Sequence, residues 1–335
     1  MTAVFKRLED AGFKRAFVKE TVLPSWWDDE IASTPSGMEE AIWFLATRLG
    51  VQPSSLRTEG GAVEFVAASN VRYKTRNGVD VEKLYPARSV ALRALRLACL
   101  TSDQRPLRPM TAQDIRNEIL RNGKPWVSLD DLLDWCWTHG IPVLHLGNPG
   151  GRTKMDGMAA RFGDRFAIAL CVNYREPSRQ LFNLAHELGH IMSGHLPEDG
   201  ALVDEGFEKR DPDDRDTEED QANEFATTLL TGERDYQCFS GDFNRAPTLA
   251  MRSREIGVRH RISPGFVSLV YCHLNPRKWR LSAETLKILE PDTNAIEEIN
   301  RTAAKHLDLS CLSEEDADYL LRLIGMEDKE AEFAH

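Results

Sequence analysis

Two histidines four residues apart with a glutamate between them are the most chemically loaded feature of the chain: His186-Glu187-Leu188-Gly189-His190. Leu181, Leu184, Leu188 and Ile191 recur at steps of three and four, which predicts a helix with that side buried. On such a helix His186 and His190 lie one turn apart on one side, so their imidazoles can converge on a single ion. This is the H-E-x-x-H zinc spacing. Glu187 projects beside the open coordination position, where a carboxylate can take a proton from water whose pKa zinc lowers from 15.7 to about 7. A buried histidine pair in a core is the plainer reading of so short a pattern. It leaves the polar side of an otherwise apolar helix without partners, which is costly.

A catalytic zinc needs a third protein ligand and one open position. His195 stands one residue short of the longer H-E-x-x-H-x-x-G-x-x-H pattern, whose glycine and histidine positions hold Ser193 and Leu196, so that class is disfavoured. His195 is left to line the cleft or cap the helix. The better third ligand lies in 219–230, where Ala222, Phe225, Ala226 and Leu229 mark a second helix with a buried stripe. Glu219 and Asn223 are one turn apart on an adjoining side. Glu219 can complete a His2Glu set, and Asn223 can hydrogen-bond a ligand imidazole from behind and fix its orientation. Glu218 and Asp220 are read as solvated, and Glu224 points away from Glu219 by helical phase. Tyr174, His195, Tyr236 and His260 are candidate cleft residues and donors to a developing oxyanion.

These residues need helices and a small sheet to hold them. Ser128 caps a predicted helix over 129–138 that Gly140 stops, and a strand follows at 141–146. The alternation of Phe166, Ile168, Leu170 and Val172 with small residues predicts a strand over 165–172, paired through Gly163-Asp164 with 155–162. That strand can pair with an extended substrate or simply serve the core. Helices are also expected over 38–49, closed by Gly50, over 90–100, and from Thr111 to Leu120, with amphipathic helices after Pro276. The expected organisation is a helical segment over 1–60, a basic, mainly helical connection over 61–124, the metal domain over 125–275 and a helical region over 276–335.

The 335 residues are 41% hydrophobic and 28% charged, which fits a folded protein with a sizeable core and excludes a wholly disordered chain. The longest apolar runs fall far short of a membrane span and the N-terminus carries charges, so a cytoplasmic protein is expected. Six dispersed cysteines without a C-x-x-C pair argue against a disulfide framework and a thiolate zinc site. The net charge of -11 is nearly all concentrated in 195–224, with thirteen acidic residues against three basic, and the 211–216 part reads as an exposed loop. In 51–124 thirteen basic residues face seven acidic ones, a surface that is more often merely solvated than bound to nucleic acid.

Taken with Glu219-x-x-Ala222-Asn223-x-Phe225-Ala226-x-x-Leu229-Leu230 and the preceding Gly140-Ile141-Pro142-Val143, the histidine motif resembles the ImmA/IrrE family of zinc metallopeptidases over roughly 128–274. The resemblance implies an α+β, mostly helical, zincin-like (gluzincin-like) domain with a small β-sheet, flanked by helical N- and C-terminal regions. It implies zinc held by His186, His190 and Glu219, with Glu187 as general base. It also implies an endopeptidase that cleaves a partner transcription repressor in phage, mobile-element or stress regulation. The long acidic insert before Glu219 and the N-terminal segment depart from the family pattern. Residues 45–56, with Leu49-Gly50-Val51 and Pro53-Ser54, resemble the end of a helix-turn-helix; few basic residues surround them, which favours protein docking over DNA reading. Residues 262–267 resemble a similar, structural turn. The competing class is a regulator that binds a repressor or DNA around a structural zinc, but such a site has no need of Glu187 beside an open position. An exopeptidase would require a pocket for a peptide terminus, and no sequence feature supplies one.

Overall fold

The computed structural model describes residues 1–326 apart from 59, 67–69, 75–79, 104, 122, 148, 152, 154, 205–216 and 238–240. The acidic 211–216 stretch and Cys238 therefore lie outside the described residues. Helix α1 (Thr2–Asp10), the single turn α2 (Arg15–Phe17), α3 (Pro35–Leu49) and the short α4 (Pro53–Arg57) form the N-terminal part. The Thr34 hydroxyl accepts from the Gly37 N–H at the start of α3, proline occupies its first turn, and Gly50 ends it in the left-handed conformation.

Strand β1 (Val71–Lys74) precedes α5 (Tyr85–Thr101), α6 (Ala112–Leu120) and α7 (Leu129–Thr138). Thr111 caps α6, and Ser128 with Asp131 makes a reciprocal capping box on α7, so both predicted starts are set by local hydrogen bonds. Strand β2 (Val143–His145) and the hairpin of β3 (Gly157–Phe162) and β4 (Arg165–Leu170) lead into α8 (Pro177–Met192), which carries the histidine motif. Strand β5 (Ala201–Asp204) and α9 (Thr217–Thr231) follow. Helices α10 (Ala246–His260), α11 (Pro264–Leu274), α12 (Trp279–Leu289), α13 (Ala295–His306) and α14 (Glu314–Leu323) close the described chain.

The architecture is α+β and mainly helical, in keeping with the expectation. The five strands are ordered β1-β5-β3-β4-β2. β3 is antiparallel to β4 and β5, while the outer pairs β1/β5 and β2/β4 are parallel. This corrects one functional expectation. β4 is an interior strand, bonded to β3 on one side and to β2 on the other, so its 168–170 half has no edge left for an incoming peptide. A second difference is β1, a strand inside the stretch read as mainly helical.

Side-chain alternation splits the sheet between two cores. Ala167 and Ala169 of β4, with Met158 and Ala160 of β3, face a core shared with α1, α3, α5 and α14. Ile168 and Leu170, with Ala159, face a core built from α6, α7, α8, α9 and α11. Arg48 of α3 ties the two ends of the chain together: its guanidinium donates to the carbonyls of Val22 (2.5 Å) and Glu315 (2.6 Å), and Tyr319 donates back to the Arg48 carbonyl (2.9 Å). Among the described residues, no helix is long and apolar enough to cross a membrane.

Candidate metal centre

Helix α8 places Leu181, Leu184, Ala185, Leu188 and Ile191 in the second core. That leaves His186, Glu187 and His190 on its other side, yet all three are fully buried. Their cover is α9. Gly189 is the residue that lets the two helices meet. A Cβ at this position would lie 3.0 Å from the Ala222 carbonyl oxygen, 3.1 Å from Ala222 Cα and 3.2 Å from Phe225 Cβ. The helix surfaces touch backbone to backbone there, which only glycine permits without a shift. Ala222 stands one turn beyond Glu219, so this close approach carries the Glu219 carboxylate to the histidines.

The result is a compact set of donors. His186 Nε2 and His190 Nε2 are 3.0 Å apart, and Glu219 Oε2 and Oε1 lie 3.5 and 3.3 Å from them respectively. Ligand bonds of 2.0 to 2.1 Å in a tetrahedron put neighbouring donor atoms about 3.3 Å apart. The three separations bracket that value, and the nitrogen and carboxylate donors suit zinc. Among the described residues this is the only group of three or more histidine, cysteine or acidic side chains arranged to hold a metal ion. Burial pushes the Glu219 carboxyl up, but hydrogen bonding and charge from His186 and His190 outweigh it and hold the group well below the usual carboxylate range.

Both imidazoles are gripped from behind. His186 Nδ1 lies 3.0 Å from Asn223 Oδ1, and His190 Nδ1 lies 2.9 Å from His195 Nδ1. Glu187 lies with its carboxylate against Gly157, the first residue of β3, where a Cβ would collide with it. The negative charge of Glu187 also helps burial push up the thiol of Cys171 on the same sheet end. Cys136 is pushed up by burial alone, and Cys99 rises to about 11, so these buried thiols are protonated and poor metal ligands.

The acidic neighbours of Glu219 are turned elsewhere. Glu218 pairs with Arg72 of β1 at 3.0 Å, Glu224 with Arg234 at 2.5 Å, and Asp220 is exposed. Tyr174 lies under the Arg179 guanidinium at 4.8 Å. Tyr236 is buried in the second core, and His260 is exposed at the end of α10. Sequence reasoning missed Gly157, whose only signal is a glycine opening an alternating run, and the contact of His195 with His190.

Residues 138–267, from the end of α7 to α11, match the family model of the IrrE N-terminal-like domain, a peptidase family. This stretch, less than half of the chain, is similar to the IrrE N-terminal-like domain. Both helices of the donor set and four of the five strands lie within the matched residues. No curated protein and no solved structure matches the chain.

Proposed function

We propose that the chain is a zinc-dependent endopeptidase acting on a protein substrate, a transcription repressor of the type on which ImmA/IrrE peptidases act. The observation that carries the reading is the convergence of three buried donors, His186, His190 and Glu219, at tetrahedral separations, with Glu187 buried between the two histidines in the sequence of α8. A divalent cation held by these residues supplies Lewis-acid polarisation of a carbonyl and makes water acidic enough to ionise at neutral pH. With the cation bound, Glu187 would be the residue to accept a proton from water and hand it to the departing amine. Gly157 keeps the space next to the Glu187 carboxylate free of a side chain, and Asn223 fixes the ring of His186.

The test uses the purified chain loaded with zinc and a transcription repressor from the same genome as candidate substrate. Wild type should release discrete fragments. Glu187→Gln should bind the same amount of zinc and release none. Equal cleavage by Glu187→Gln would remove the hydrolytic role, and retained biological activity in that variant would favour a regulator that binds without cutting.

A further inference from the structure

We infer that His195 and Gln221 form a relay that fixes the ring of His190 and selects the tautomer able to ligate, an inference that rests on reading His186, His190 and Glu219 as a metal site. His195 follows the end of α8. Gly194, at φ 72°, turns the chain back, and the His195 N–H donates to the His190 carbonyl at 3.0 Å. Gly194 has open space around its Cβ position, so its requirement is purely one of backbone conformation. The turn brings His195 Nδ1 to 2.9 Å from His190 Nδ1 and His195 Nε2 to 2.8 Å from Gln221 Oε1.

The proton positions then follow in sequence. His190 Nε2 faces His186 Nε2 and Glu219, so it must keep its lone pair to act as a ligand. Its proton therefore sits on Nδ1 and is donated to His195 Nδ1. His195 Nδ1, acting as acceptor, leaves that ring's own proton on Nε2, and the Gln221 carbonyl oxygen accepts it. His190 is fully buried and His195 is 7% exposed, so bulk water does not replace the bond between them. The two ligand histidines are thus held by different devices from one helix: α9 grips His186 directly through Asn223 and His190 indirectly through Gln221 and His195. His195 is a positioning residue. Orienting partners of this kind typically contribute 10–100-fold in metal affinity.

The experiment measures the zinc dissociation constant of the full-length chain by competition with a chelating dye, with the melting temperature of each metal-free variant recorded alongside. His195→Phe keeps a flat ring of similar size and removes the acceptor; about 10–100-fold weaker binding is expected. His195→Gln restores a carbonyl acceptor in place of a ring and should recover most of that loss. A packing role predicts the reverse order, with the phenylalanine tolerated and the glutamine not, and that order would overturn the relay. Gln221→Leu changes an exposed side chain, so it reads the same effect if His195→Phe fails to fold; unchanged affinity in Gln221→Leu would also overturn the relay. A wild-type chain that binds no zinc overturns the metal reading and the relay together. A wild type that binds while His195→Phe matches it overturns the relay alone.

Discussion

Replacing Gly189 by alanine sets two effects of known size against each other. In the middle of α8, alanine is favoured over glycine by about 1 kcal/mol because it restricts the unfolded chain and suits the helix. Against that, the new methyl would stand 3.0 Å from the Ala222 carbonyl oxygen and 3.1 Å from its Cα, both backbone atoms that cannot rotate away. Restoring an ordinary contact near 3.4 Å requires α8 and α9 to part by about 0.4 Å, and overpacking of this kind costs about 1–3 kcal/mol. The net is a loss of about 0–2 kcal/mol, a small change in melting temperature. The effect on the metal should be larger. Ligand distances tolerate only about 0.2 Å, and the displacement acts between the helix that carries His186 and His190 and the one that carries Glu219. Zinc affinity is therefore expected to fall at least tenfold while the fold survives, as read by dye competition and circular dichroism on the same samples. A Gly189→Ala protein that melts higher than wild type and binds zinc equally would refute the close-contact reasoning.

Further outcomes follow from single contacts. Gly157→Ala should abolish cleavage with little loss of zinc, because its methyl collides with the Glu187 carboxylate rather than with a donor; unchanged turnover in a peptide-release assay would contradict this. Ser128→Ala removes one side of the α7 capping box and should destabilise the protein by about 1 kcal/mol in urea unfolding. Burial and a hydrogen bond to Asp130 push Glu298 up to about 8, so its contribution to stability is full below its ordinary value near 4.5 and is lost as pH rises through 8. Glu298→Gln should accordingly raise the melting temperature more at pH 8.5 than at pH 5, and an equal change at both would refute that account.

The helices of the site were legible because their signals are local. Spacing alone put His186 and His190 on one side of α8 and Glu219 with Asn223 on one side of α9, and hydroxyl caps marked the starts of α6 and α7. The Gly163-Asp164 turn likewise announced the β3/β4 hairpin. What stayed hidden depends on pairing between distant segments. β1 and β5 are four residues each, too short for alternation to stand out, and they become strands through each other and β3. The place of β4 inside the sheet comes from β2, joined to it in parallel across a long separation, so a reading of 165–172 alone could not exclude an edge. Spacing offers His195 as a ligand, a cap or a cleft residue; its contact with His190 depends on the backward turn at Gly194 and its second bond on Gln221 from another helix.

Zinc content tests the three-donor centre most directly. Wild type and Glu219→Ala, each loaded with excess zinc, desalted and analysed by elemental mass spectrometry, should differ sharply, with a single zinc per chain in the first and little in the second. Equal zinc in both proteins, or none in wild type, would contradict a centre built by His186, His190 and Glu219.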